Sequence, residues 1–130
     1  MTVLLASLVL TACGTHAQTA IGLVDTQRLL QFWPKFQNYN NQLSMDMEAI
    51  DRSGLPAAQK VRQRAALQQK YGQIQSALTE EVRSAATQVA KTKSLQLVVT
   101  RQYVGYGGTD ITPEVEQILK ITETSPSPSP

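Results

Sequence analysis

The sequence predicts a mainly α-helical fold with a small β-sheet, and three observations predict it. Apolar residues recur at close to a heptad period over two stretches, residues 32–50 and 67–89. A break containing Gly54 and Pro56 joins the two stretches. Short apolar or β-branched runs flank them, Ile21-Gly22-Leu23-Val24 before and Leu95-Gln96-Leu97-Val98-Val99-Thr100 after. The expected order is a strand, an antiparallel coiled-coil hairpin arm over about residues 34–93, two strands and a short C-terminal helix.

Each element has its own local reason. After the opening strand, Asp25-Thr26 offers a helix cap before Gln27-Arg28-Leu29-Leu30. Pro34 interrupts that short helix and suits the first position of the next. The first seam is Phe32, Phe36, Tyr39, Leu43, Met47 and Ile50, spaced 4, 3, 4, 4 and 3. Gly54 suits a helix C-cap, and Pro56 the first turn of a second helix over residues 56–93. The second seam is Leu67, Tyr71, Ile74, Leu78, Val82, Ala85 and Val89. Past the strand at residues 95–100, residues 103–106 read as a further short strand and Gly107-Gly108 as a turn. Thr112-Pro113-Glu114 reads as a helix start, with Val115, Ile118 and Leu119 as its apolar face.

The two ends of the 130-residue chain read differently. Residues 3–10 are apolar, and Leu10-Thr11-Ala12-Cys13 follows, so residues 1–12 read as a secretion signal. The ending resembles a lipobox, which makes Cys13 a candidate lipidation site and the first residue of the mature chain. The segment before it carries no Lys or Arg, a departure from the usual signal. Residues 13–19 read as a tether, residues 20–121 as one domain and the Ser/Pro-rich residues 122–130 as a flexible tail. Two helices and a small sheet bury little surface, so self-association is expected.

The strands and helices, in this order, resemble the Skp/OmpH family of periplasmic chaperones. The matching residues are Ile21-Gly22-Leu23-Val24-Asp25 with Pro34, then Leu95-Gln96-Leu97-Val98-Val99, Tyr103-Val104-Gly105-Tyr106 and Asp110-Ile111-Thr112-Pro113-Glu114-Val115. The resemblance implies a homotrimer whose strands form a central body, with helical arms around a cavity that holds unfolded outer-membrane proteins without ATP. It implies a location in the periplasm, here at the outer membrane through a lipid on Cys13, with unfolded exported proteins as partners. Two features depart from the family: the arm is short, and familiar members carry no lipid. Alternative readings are a structural coiled-coil envelope lipoprotein or adaptor, and a basic membrane-surface binder.

No catalytic constellation is expected, and no cofactor. His16, the only histidine, lies in the tether, and without a second histidine or cysteine no zinc site is formed. Asp25, Asp110 and Glu114 read as capping and dipole residues. A net charge of +2 gives no reason to expect nucleic acid. Within residues 52–70 the charged residues are all basic: Arg52, Lys60, Arg62, Arg64 and Lys70. They are candidate contacts to clients or anionic lipid, or a solvated face. Met45 falls off the first seam, either a client contact or ordinary surface. Phe32, Trp33, Phe36 and Tyr39 cluster where the arm begins, as packing at its base or as the lining of a cavity mouth.

Overall fold

The structure, a computed structural model, describes residues 20–122. The expected signal, Cys13, the tether and nearly all of the tail lie outside them. In chain order the elements are β1 (Ile21–Val24), α1 (Thr26–Phe32), α2 (Pro34–Arg52), α3 (Ala57–Thr92), β2 (Leu97–Thr100), β3 (Thr109–Asp110) and α4 (Thr112–Ile118). A 3-10 turn over Arg101–Tyr103 follows β2. The protein is mainly helical with a three-stranded parallel sheet.

Local chemistry sets the first boundaries. Asp25 is extended, and its side chain accepts the Arg28 N–H at 3.0 Å, which starts α1. Trp33 precedes a proline and is held extended, at φ −83° and ψ 110°, so α1 ends there. Pro34 then opens α2, where its missing N–H costs nothing. α2 does not end on Gly54 as expected: Ser53 N–H and Oγ both donate to the Ile50 carbonyl, and Gly54 is not left-handed.

α2 and α3 lie side by side in opposite directions. Lys35 meets Glu81, Asp46 meets Tyr71 and Asp51 meets Arg64. α2 has 19 residues and α3 has 36, so α3 runs on past α2 and packs beneath the sheet. Its Ala85, Ala86 and Val89 enter a core with Val24, Leu29, Trp33, Leu78, Ile111, Val115 and Ile121. The two alanines let the helix approach closely. Along the arm the seams are thinner: Ile50, Tyr71 and Leu78 are buried, Phe36, Tyr39, Leu43, Met47 and Leu67 only half-buried, and Ile74 exposed. Two helices alone leave one side of each seam facing water.

The sheet order is β2-β1-β3, and both neighbours run parallel to β1. Val24 pairs with Thr100 and Leu23 with Asp110. β1, central and apolar, is buried through Gly22, Leu23 and Val24. The expected strand at residues 103–106 is not there; the third strand is Thr109–Asp110. A parallel partner cannot follow from a tight hairpin, so residues 101–108 serve as the crossover instead. Gly107 and Gly108 have φ of 87° and 90°, and a Cβ on Gly108 would lie 2.8 Å from Leu23 Cγ. These glycines carry the crossover across the sheet face away from the helices. Gly22, on the other face, leaves room for Leu95, Ile111 and Val98.

α4 begins one step differently from expectation. Thr112 lies inside the helix, and Asp110 Oδ1 accepts its N–H at 2.9 Å. The Thr112 hydroxyl accepts the Asp25 N–H at 2.9 Å, which ties α4 to the end of β1. Glu116, 6% exposed, accepts from Arg28 Nε at 2.8 Å and Nη2 at 3.1 Å, fixing α4 to α1.

Candidate functional site: the arm tip and the apolar groove

Of the basic residues singled out in the sequence, Arg52, Lys60 and Arg64 gather near the tip and Lys70 lies farther along α3, and residues of α2 face them. Arg52 pairs with Glu48 at 2.5 Å, and Arg64 pairs with Asp51. Lys60 donates to the Asp51 carbonyl at 2.7 Å. Lys70 lies 3.9 Å from Asp46 and 5.2 Å from the Tyr71 ring centre. Of the five, Arg62 alone makes no such contact among the described residues. Exposed pairs of this kind contribute about 0–1 kcal/mol each. Their larger consequence is that the tip presents a weaker positive field than residues 52–70 promise. Met45 is 59% exposed on α2.

Deeper in the arm, Tyr71 is buried and donates its hydroxyl to Asp46 Oδ2 at 2.7 Å. Gln42 donates to Asp46 Oδ1 at 2.9 Å. Burial, with the Asp46 carboxylate beside it, pushes the Tyr71 hydroxyl up to about 12. The hydrogen bonds from Tyr71 and then Gln42 hold Asp46 below the usual carboxylate range. Tyr39 stacks on Phe36 at 5.8 Å and meets Tyr71 at 5.5 Å between ring centres. Trp33, 2% exposed, is in the core at the arm's base with the partly buried Phe32, Phe36 and Tyr39 against it, and Trp33 and Phe36 also face the groove described below.

The three carboxylates of the sequence reading sit apart in role. Asp25 caps α1. Burial raises Asp110, but Thr112 donation and the nearby Arg101 and Arg28 charges outweigh it and hold the carboxyl low. Glu114 pairs with Lys93 at 2.5 Å, whose hydrogen bond lowers it.

The feature that sequence reasoning missed is a groove of about 750 Å³. One wall is α1 and the start of α2, through Leu29, Leu30, Trp33 and Phe36. The floor is α3, through Leu78, Val82 and Ala86, and the far wall is the whole of β2. β2 pairs only with β1, so its outer edge has no strand partner among the described residues. Leu97 is 50% exposed there, and Leu30 is 37% exposed across the groove. One signal was available: residues 97–99 form an uninterrupted apolar run, more than an edge strand with one covered face needs.

Compared with protein-family models, with curated proteins and with solved structures, the chain finds no match in any of the three. The described helices include none long and apolar enough to cross a membrane.

Proposed function

We propose that this chain is a short-armed holdase chaperone of the cell envelope, similar to the Skp/OmpH family. In this reading it is lipid-anchored through Cys13 at the outer membrane and assembles as a homotrimer. It binds unfolded outer-membrane or exported proteins without ATP. The observation that supports this reading best is the apolar groove along the unpaired edge of β2. A concave, mostly apolar groove of this volume is of the size that takes a ligand or a partner's side chains, and an open strand edge invites another strand. A copy seated on β2 covers both and brings the arm bases together around a shared space. The half-buried seam of α2, with Met45, then supplies weak, distributed apolar contacts. Weak contacts suit a holdase, since release needs no energy source.

The test is aggregation of an outer-membrane barrel protein diluted from urea, with and without the mature chain. Suppression at about stoichiometric trimer is expected. Unchanged aggregation at several-fold excess removes the holdase reading and leaves a structural envelope lipoprotein. The arm favours that second reading, since 19 residues of α2 reach only about 28 Å. The basic membrane-surface reading loses support, because four of its five cations already face an acid, a carbonyl or a ring.

A further inference from the structure

The open edge of β2 has a definite hydrogen-bonding side. Gln96 N–H points at β1, where it donates to the Ala20 carbonyl. Direction alternates along a strand, so the N–H and C=O of Leu97 and Val99 point outward, away from β1. An occupant of the groove therefore meets apolar walls and a row of unpaired backbone groups together. An acyl chain fills the first and leaves the second unsatisfied, whereas an extended apolar peptide answers both. Side chains alternate as well. Val98 faces the helices, where it packs against the core, and Leu97 lies half-exposed on the other face. A strand added here has apolar neighbours on both of its faces.

Residues 3–10 have the composition of such a peptide. They read Val3-Leu4-Leu5-Ala6-Ser7-Leu8-Val9-Leu10, without charge, proline or glycine. At a period of two, Leu4, Ala6, Leu8 and Leu10 share one face and Val3, Leu5, Ser7 and Val9 the other, which suits a site apolar on both sides. None of residues 2–12 is charged, so no group that must stay in water is drawn into the groove. Their distance along the chain fits as well. The described chain begins at Ala20, bonded to Gln96, and Gln96 itself lines one end of the groove. From Ala20 to the outer side of β2 is two strand spacings, about 10 Å. Residues 11–19 reach up to about 30 Å, which is ample for that return. Entering from that end, residues 3–10 run antiparallel to β2. At about 3.4 Å each they cover the groove wall formed by residues 95–100.

We infer that residues 3–10, for as long as they remain on the chain, fill the groove as a fourth strand along β2, and that cleavage before Cys13 opens it. The inference rests on the assembly proposed above and adds its regulation: the site that a copy needs is occupied until the chain is processed. A tethered segment acts at an effective concentration of about millimolar, so a copy present at about micromolar concentration does not displace it. The trimer is then the state of the processed chain.

The experiment compares the full chain, translated in vitro so that residues 1–12 stay on it, with its double variant Leu4→Asp, Leu8→Asp. Both changes lie outside the described body, and the emission of the buried Trp33 reports that each chain is folded. Amide hydrogen exchange is read at Leu97 and Val99, and mass by sedimentation equilibrium over a concentration series. The full chain should be monomeric with both amides protected. The variant, when dilute, should exchange them about tenfold faster or more, and should gain mass as its concentration rises. Equal exchange rates in the two monomeric chains overturn the inference. So does a full chain that assembles as readily as the variant, a result that keeps the copy on β2 and removes residues 3–10 from it. A variant that loses protection yet stays monomeric at every concentration does the reverse: it keeps the added strand and removes the assembly.

Discussion

Leu97→Lys is the substitution that most directly tests assembly through the groove. Leu97 sits on the edge strand, half-exposed, and lines the groove. Full burial of a leucine is favourable by about 1.5–3 kcal/mol, so covering the remaining half is worth about 1 kcal/mol. A closed trimer repeats the contact three times, which makes about 3 kcal/mol, or about 100-fold in the assembly constant. An ammonium forced against apolar walls adds several kcal/mol to that loss. The fold itself loses only about 1 kcal/mol, because the lysine stem keeps part of the packing. The assay is sedimentation equilibrium over a concentration series, with far-UV circular dichroism to show that helix content is unchanged. The parent chain should reach three times the monomer mass and the variant should remain monomeric. Equal masses for the two folded chains, or a parent chain that never leaves the monomer, would refute the reasoning.

Other outcomes follow from single contacts. Gly108→Ala places a Cβ against Leu23 at φ 90°, and should lower stability by about 1–3 kcal/mol in urea unfolding; an unchanged midpoint would mean that the crossover does not lie on Leu23. Glu116→Ala leaves Arg28 without its buried carboxylate partner, and should cost about 1–3 kcal/mol, a value reduced by the partial exposure of Arg28. The Tyr71 hydroxyl is raised on folding, so its contribution is complete below about pH 10 and fades as pH rises through about 12. Asp46 is lowered on folding, so its contribution holds above the ordinary carboxylate range and fades as pH falls through its folded value. Tyr71→Phe should flatten the alkaline loss of stability between about pH 10 and 12, read by thermal unfolding; the same slope in both chains would place its origin elsewhere.

Much of the helical architecture was legible because its signals are local. Asp25 before an apolar turn, Pro34 and Pro56 as helix openers, and period-matched seams act within a few residues of each other. They placed α2 and α3 to within a few residues of their bounds. The misreadings have two causes, one distant and one local. Residues 103–106 look like a strand, but strand pairing is decided by partners far along the chain, and β1 accepts only a parallel neighbour at Thr109–Asp110. Ser53 displaced Gly54 as the end of α2 because a hydroxyl and an N–H could both reach the Ile50 carbonyl.

The candidate site divides along the same line. The basic residues from Arg52 to Lys70 were legible as a cluster, since charge along a helix is visible in sequence. Their neutralisation was not, because Asp46, Glu48 and Asp51 belong to another helix and meet them only when the arm closes. Sequence by itself determined two long helices, the Asp25 cap, Pro34 as the start of α2 and the strand-forming runs at residues 21–24 and 97–100. Tertiary structure alone decided that the sheet is parallel, that β2 lies at its edge and that a groove opens beside it. The reason is physical: helix signals repeat every turn, whereas an edge and a groove exist only where distant segments fail to cover one another.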